Sequence, residues 1–417
     1  MTTPQAWSRI ATAQWQVLAE EHGSPFYLFD ADCVAARVQY VKAAVEGLAG
    51  VFYAVKANPN LGLLRAVRSN VDGLDISSGG ELMQAQRAGY DPACMSFAGP
   101  AKTDVELEAA IAAGVGCISV ESLREIDACA RIANRLGRQA QILLRVNPTQ
   151  VHKAYGLKMG GRAVQFGIEE EALLEAGRRV LALAPHLVCR GLHSYVGSQC
   201  FDGAGMMDAT RNALRIAAEF EQRTGLRCTK LNLGGGFGLA QSGERKELPL
   251  LDVAPDLCAA LRAFLGERPG CAVFFELGRF ITADSGIYVT RVVDIKTSRG
   301  TRYLVCDGGL NHQLAAAGTF GAALRGNFPL LNLSRPNAPH AVFNVAGPSC
   351  NPTDLLGVQV SLPTPEIGDL LGVGMSGSYG LTASPLLFLG HDTPTELVSH
   401  QGRIEVGRRR HTLDEFN

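Results

Sequence analysis

Eight short apolar runs recur along the chain at intervals a helix can fill, and that rhythm limits the folds available to it. The candidate strands are Val51 to Val55, Gly73 to Ile76, Met95 to Ala98, Gly116 to Val120, Gln141 to Val146, Val188 to His193, Lys230 to Leu233 and Ala272 to Glu276. Between them lie alanine- and leucine-rich stretches of helical period, such as Ser122 to Leu136 and Glu169 to Leu183. Ser122 and Thr103 stand where helix N-caps are wanted. Eight strands alternating with helices over such a span are the count and size of a closed (β/α)8 barrel. A doubly wound open sheet is the alternative that strand count alone leaves standing. The barrel is the fold expected here.

After Phe280 the character changes. Gly286 to Ile295, Thr301 to Asp307, Ala341 to Ala346 and Asp369 to Val373 read as strands joined by Gly/Pro-rich turns, with little helical period. An early strand-like FYLFD (Phe26 to Asp30) is a candidate to join them. The expected division is therefore a barrel over 31–280 and a mostly β domain built from 1–30 and 281–417. The tail, Gly407 to Asn417, carries three arginines without an apolar pattern and reads as solvated.

A formal net charge of -1 on 417 residues speaks against a nucleic-acid or membrane-surface partner. The start, MTTPQAWSRIATAQW, lacks the basic opening and apolar core of a signal peptide, and no run is long and apolar enough to span a bilayer. A cytoplasmic location is expected. The eleven cysteines include no CxxC pair, and Cys94, Cys117, Cys189, Cys271 and Cys306 sit in apolar context, as buried free thiols do. No His/Cys cluster has metal-ligand spacing, so no metal is expected.

In a barrel the chemistry gathers at the C-terminal ends of the strands. The first of these ends reads VFYAVKANPN, an apolar run closing on Lys56. Burial disfavours an ammonium, so such a lysine is expected to have a lowered pKa and to serve as an amine that forms a Schiff base; a lysine snorkelling to solvent is the plainer alternative. The other strand ends hold Asp75 with Ser77 and Ser78, Glu121, Arg145, Asn147, His193, the run Gly234 to Gly238, and Glu276-Leu277-Gly278-Arg279. Backbone N–H groups of a glycine run can approach an anion closely, and Gly278 and Arg279 follow the eighth strand, where such barrels hold phosphate. A plain flexible turn is the competing reading. Glu276 ends a buried strand and needs a partner, either an internal cation or a protonated pyridine nitrogen. His193 either lies flat on a ring or satisfies a hydrogen bond of the core. A Schiff-base lysine, a phosphate cradle and a carboxylate for a pyridinium together meet the requirements of pyridoxal 5'-phosphate.

These residues lie in motifs that resemble the fold-type III pyridoxal-phosphate decarboxylases, the branch of the diaminopimelate, ornithine and arginine decarboxylases, with alanine racemase more distant. The matching stretches are FYAVKANPN, LDISSGGEL, HSYVGSQ, LNLGGGFG, ELGR, CDGG, GPSCNPTD and GSYG, in order along nearly the whole chain. The resemblance implies a barrel plus a C-terminal β domain, and a homodimer whose active sites are completed across the interface. It further implies that Lys56 is the Schiff-base lysine with Asp75 close to it, that His193 stacks on the ring, and that Glu276 partners the pyridinium. Ser198, Gly235, Gly236, Gly278, Arg279 and Tyr379 match the phosphate-binding positions. Cys350 matches the cysteine that reaches into the neighbouring subunit's site and protonates the carbanion; a buried structural thiol is its plain alternative. Racemases of this fold use a tyrosine as second base, so GPSC favours decarboxylation, with an amino-acid racemase or a non-catalytic cofactor-holding homologue as alternatives of another class.

The chain departs from this family at the distal end of the substrate. Diaminopimelate decarboxylases follow CDGG with an arginine-proline segment that grips a distal carboxylate, whereas Leu310 to Pro329 has small apolar residues there. The acid expected after the cysteine is Asn351, which with Asp354 and Arg162 is a candidate substrate contact. The run NHQLAAAGTFG resembles biosynthetic decarboxylases whose substrates carry a bulky appendage, tethered to an acyl-carrier protein or conjugated as in citryl-diaminopropionate. The loop His152 to Arg162 is basic and could meet such an arm or carrier, or be an ordinary solvated loop. The expectation is a decarboxylase of a distally modified L-amino acid, with meso-diaminopimelate decarboxylase as the alternative.

Overall fold

The computed structural model describes residues 10–151, 154–242, 246–318 and 326–416. Eight parallel strands close into a barrel: Gly50–Ala54, Gly73–Ile76, Met95–Phe97, Cys117–Val120, Ala140–Asn147, Leu187–Ser194, Lys230–Gly235 and Ala272–Leu277. Closure is visible in the register, because the first strand pairs with the eighth (Phe52 opposite Glu276) while every strand also pairs with its successor. The open-sheet alternative is thereby removed. Each predicted barrel strand lies within two residues of an observed one, because strands covered on both faces read as uninterrupted apolar runs. Ser122 and Thr103 cap their helices as expected, Thr103 in a capping box with Glu106.

The β domain is a nine-stranded sheet drawn from both ends of the chain. Phe26–Asp30 lies within it, antiparallel to Gly286–Ser298 and parallel to Thr395–His400. Helix Thr12–His22 covers this sheet, burying Trp15 and Leu18 against Phe26, Leu28, Ile287 and Leu397. Strands Leu355–Pro363, Thr395–His400 and Arg403–Arg408 were not among those expected. Arg403–Arg408 is an edge strand with one wet side, so it shows no apolar stripe. The tail is correspondingly less solvated than its arginines suggest: Arg408 pairs with the buried Glu396 at 2.7 Å and Arg410 donates to the Pro25 carbonyl. All eleven cysteines are free, but Cys94, expected in the core, is exposed, and Cys189 and Cys271 are half-buried. Among the described residues no helix is long and apolar enough to cross a membrane.

Barrel and sheet meet at the segment after Lys56. Asn60 caps helix Leu61–Val67 by accepting from Leu63 N at 3.1 Å and donates its amide to Glu396 at 2.7 Å. Replacing Asn60 with alanine removes a cap and leaves a buried carboxylate one donor short. The expected loss is ~2 to 4 kcal/mol, read as a lower unfolding midpoint in denaturant.

Candidate active site

Successive side chains of a strand point to opposite faces, so every second residue of a barrel strand faces the interior. Along those inward positions the chemistry changes from apolar to polar as each strand rises. Phe52 gives way to Ala54 and Lys56, Cys117 to Ser119 and Glu121, Leu143 to Arg145 and Asn147, Phe274 to Glu276. The lower layer is a closed apolar plug of Cys117, Leu143, Phe274 and Phe52, with the two phenyl rings 4.2 Å apart. Above it stand Asp75, Ser96, Ser119, Arg145, His193, Asn232 and Glu276, all buried.

Lys56 ends the first strand inside a one-turn 3-10 helix, Val55–Ala57, and its Nζ lies 2.8 Å from Asp75 Oδ2. Its side chain is 45% accessible, while that of Asp75 is 1% accessible. Burial alone pushes the lysine pKa down, as expected from the strand end. Asp75, with Tyr195, Tyr379 and Glu276, pushes harder, so the net direction is up. The expectation of a neutral amine is corrected: with Asp75 across from it, Lys56 is an ammonium. A loop of the β domain closes this corner, since Tyr379 N donates to the Ala57 carbonyl at 2.8 Å and Asn58 donates to the Gly377 carbonyl at 3.0 Å. The asparagine of VKAN thus anchors the loop that carries Tyr379.

On the eighth strand, next to the first, Glu276 Oε1 accepts from Ser96 and from Asn232. Desolvation, with Asp75 adding repulsion, pushes its pKa up to about 8 against the pull of Lys56, Asn232 and Ser96. His193 sits beside it, Nε2 3.4 Å from Glu276 Oε2 and Nδ1 2.9 Å from Ser119 Oγ. Burial first, then Arg145, Lys56 and Lys102, hold its pKa well below the usual range, so the imidazole is neutral. Its Nε2 makes no hydrogen bond and is fully buried, as is Asp75 Oδ1.

The glycine run after the seventh strand is a close-approach device rather than a slack turn. Gly236 has φ +81°, and a Cβ there would stand 2.0 Å from the Gly197 carbonyl; one on Gly235 would stand 2.0 Å from the Glu276 carbonyl. The facing strand, Gly197–Cys200, brings Ser198 to the same place. Arg279 completes the ring, its guanidinium 4.7 Å from the Tyr379 ring centre and donating to the side-chain amide oxygen of Gln241. Lys56, Ser198, Gly236, Glu276, Gly278, Arg279 and Tyr379 line one pocket together with Tyr195 and Gln199. Asp75 and His193 touch it through Lys56 and Glu276, and Gly235 is the register partner of Glu276.

Other expected residues lie elsewhere. Arg162 is exposed, and its backbone carbonyl accepts from Asn147 at 3.0 Å. Cys350 is exposed and Asn351 turns its side chain onto Thr353; none of Arg162, Cys350, Asn351 and Asp354 lines the Lys56 pocket. Asp354 is buried and accepts from Leu310 N and Ser349 N, so its carboxylate clamps two loops and is spent on them. The basic loop from His152 to Arg162 is partly a strand, Tyr155–Lys158, paired with Gly197–Cys200, with Leu157 opposite Ser198; His152 and Lys153 lie outside the described residues. Tyr195, Gln199, Gln241, Ser96, Ser119 and Asn232 were missed. HSYVGSQ contained the first two; for Gln241, which bridges Arg279 to the Met375 carbonyl, no local signal exists.

Residues 32–283 match the family model of the pyridoxal-dependent decarboxylases, pyridoxal binding domain, which is more than half of the chain. The chain belongs to that family. The L-glutamyl-[BtrI acyl-carrier protein] decarboxylase of Niallia circulans is 32% identical over 410 residues, covering 97% of this chain and 95% of the relative. A diaminopimelate decarboxylase of Neisseria meningitidis serogroup A is also 32% identical, over 404 residues, with 95% of each chain covered. The diaminopimelate decarboxylase of Helicobacter pylori, solved with L-lysine, superposes with a TM-score of 0.86 at 27% identity, over 96% of this chain and 98% of that one.

Pyridoxal 5'-phosphate is the cofactor of these decarboxylases, and the residues present fit it. The glycine cradle admits no Cβ, so an anion could approach its backbone closely, and Arg279 stands beside it. Two buried polar atoms make no hydrogen bond: Asp75 Oδ1, and His193 Nε2, which faces Glu276 Oε2 at 3.4 Å. Glu276 has the raised pKa of a buried carboxyl that a cationic ring nitrogen would bring back down. A pH prediction follows for the cofactor-free protein. Because the folded-state pKa of Glu276 is raised from 4.5 to about 8, its contribution to stability is fully present below pH 4.5 and is lost as pH rises towards 8. The unfolding midpoint should fall over that window, and fall less in Glu276→Gln, as measured by thermal denaturation across pH.

Proposed function

We propose that this pyridoxal-phosphate decarboxylase removes the α-carboxylate of an L-amino acid whose distal end carries a bulky group, either tethered through an acyl-carrier protein, as a glutamyl group is, or conjugated like citryl-diaminopropionate. The observation that carries this reading is the loss of both distal charge anchors. Where the resemblance places the arginine-proline segment of diaminopimelate decarboxylases, the run Leu310 to Pro329 carries small apolar residues, among them the buried Ala315 and Ala316, and where it places an acid beside the cysteine stands Asn351. A free distal ammonium and carboxylate would be left without partners, at a cost of several kcal/mol. The relative that acts on a glutamyl-carrier-protein substrate matches over nearly the whole chain and supports it. The second reading, decarboxylation of free diaminopimelate, is supported by relatives of equal identity.

In this reading Lys56 would hold the cofactor's aldehyde, Gly235, Gly236, Ser198, Gly278, Arg279 and Tyr379 its phosphate, Glu276 its ring nitrogen and His193 its face. When bound, the cofactor supplies the electron sink for the pair left as carbon dioxide departs. Asp75, 2.8 Å from Lys56 Nζ, would take the proton that the ammonium must give up before its nitrogen can bond the cofactor's aldehyde, and would return it when the lysine is released. Ser96 and Asn232 fix the Glu276 carboxylate so that it faces one way, and the apolar plug below excludes water from beneath it. Cys350, exposed in one chain, would reach the neighbouring subunit's pocket in a homodimer and deliver its Sγ proton to Cα.

Replacing Lys56 with alanine is expected to abolish the absorbance band of the lysine-linked cofactor, and an unchanged spectrum counts against the lysine's assignment. Cys350→Ala is expected to lower turnover by about 10²-fold or more while cofactor binding is retained; full activity removes its role. The substrate is tested by carbon dioxide release from a panel of free diaminopimelate, lysine, ornithine, arginine and glutamate, citryl-diaminopropionate, and glutamate loaded on an acyl-carrier protein. Turnover confined to a tethered or conjugated substrate is the expected result. Brisk turnover of free diaminopimelate sinks the proposal.

A further inference from the structure

One buried amide beyond the strand ends ties separate parts of the site together. Gln241 lies past the glycine run, 5% exposed, and both polar atoms of its side chain are engaged. Its oxygen accepts from Arg279 Nη1, and its nitrogen donates to the Met375 carbonyl at 2.8 Å and to the Ser378 carbonyl at 3.5 Å. Met375 and Tyr379 both have left-handed backbone, at φ +56° and +53°, which residues other than glycine seldom adopt without support. The peptide between Ser378 and Tyr379 is held from both sides. Its carbonyl faces Gln241, and its N–H donates at 2.8 Å to the carbonyl of Ala57, the residue after Lys56.

The backbone that presents Gln241 is itself pinned. Gly238 N donates to the Cys200 carbonyl at 2.7 Å, and the N–H and carbonyl of Leu239 pair with the side-chain amide of Gln199 at 3.0 and 3.1 Å. Gln199 follows Ser198, and both line the Lys56 pocket with Arg279 and Tyr379. Gln241 thus connects to Arg279 directly, to Tyr379 through its loop and to Ser198 through Gln199. An amide suits this place better than an acid. Its oxygen orients a guanidinium without adding negative charge, whereas a carboxylate would compete with any anion that the guanidinium is there to hold.

We propose that Gln241 is a positioning residue for the cofactor's phosphate, setting the Arg279 guanidinium with its oxygen and the Met375–Tyr379 loop with its nitrogen, so that both stand ready before the anion binds. The inference rests on the assignment of Arg279 and Tyr379 to the phosphate made above. It separates two roles that a buried amide can have. A tether of the fold would serve any ligand of the pocket equally, whereas a positioning residue serves only the part of the ligand that Arg279 and Tyr379 meet.

The test titrates the cofactor-free full chain with pyridoxal 5'-phosphate and with pyridoxal, which lacks the phosphate, and reads Kd from absorbance. Gln241→Leu is expected to raise Kd for pyridoxal 5'-phosphate about tenfold or more, while Kd for pyridoxal moves by less than about twofold. Gln241→Glu keeps the shape but sets a carboxylate against Arg279 and removes the donor to both carbonyls, so its phosphate-specific loss is expected to be at least as large. Equal losses for the two ligands, or no loss for either, overturn the inference. If the leucine variant fails to fold, the glutamate variant decides by the same comparison. Failure of both to fold also overturns it, because the amide is then a requirement of the fold. Arg279→Leu separates this inference from the assignment beneath it. If that variant keeps the parent's ratio of the two constants, the phosphate assignment and this inference fall together. If it loses the parent's preference for the phosphate while both Gln241 variants keep it, this inference alone falls.

Discussion

The ion pair between Lys56 and Asp75 joins the ends of two neighbouring barrel strands, and the rest of the site is arranged around the cost of having it there. A charge inside a closed barrel loses its water, and the interior recovers that loss only through partners at fixed positions. The polar layer is the set of those partners. Ser96, Asn232 and Ser119 are short groups that fit between strands and still reach a carboxylate or an imidazole. The apolar layer beneath keeps water from entering from below, so the groups above it act on one another at low dielectric. A neutral histidine, an upward-shifted glutamic acid and a charged lysine then coexist within one small volume, because burial sets the direction at His193 and Glu276 whereas Asp75 overrides it at Lys56.

Much of this was legible in the chain because a parallel barrel writes its interior plainly. Strands covered on both faces appear as continuous apolar runs, and the residues that break the run at its C-terminal end are the ones that face the site: Lys56, Asp75, Glu276 and the glycines after Leu233. Ser96, Ser119 and Asn232 were hidden for the same reason. They occupy inward positions one step below the strand ends, and only the closed register shows which face is inward. The lysine's charge state was misjudged because desolvation is a property of one position, whereas the opposing carboxylate arrives from the next strand.

The parts that escaped are those whose logic is tertiary. Arg403–Arg408 is a strand because Thr395–His400 offers it a ladder, and its solvent-facing residues carry no pattern of their own. Tyr155–Lys158 exists as a strand only against Gly197–Cys200, across more than thirty residues of intervening chain. Asp354 looked like a substrate ligand by its motif, yet two backbone N–H groups claim it. A motif records that an acid is needed at a place; it does not say whether a ligand or a loop needs it.

The sheet that takes its strand from residues 26–30 and its neighbour from residues 395–400 has a consequence for synthesis. The eight barrel strands end at Leu277, so the barrel has all of its parts while the last third of the chain is still being made. The first strand to emerge must wait for nearly the last, unpaired on at least one edge throughout. Tyr379 belongs to that late segment as well. The wall that closes the lysine's pocket is therefore the part of the site made last, after every strand of the barrel beneath it.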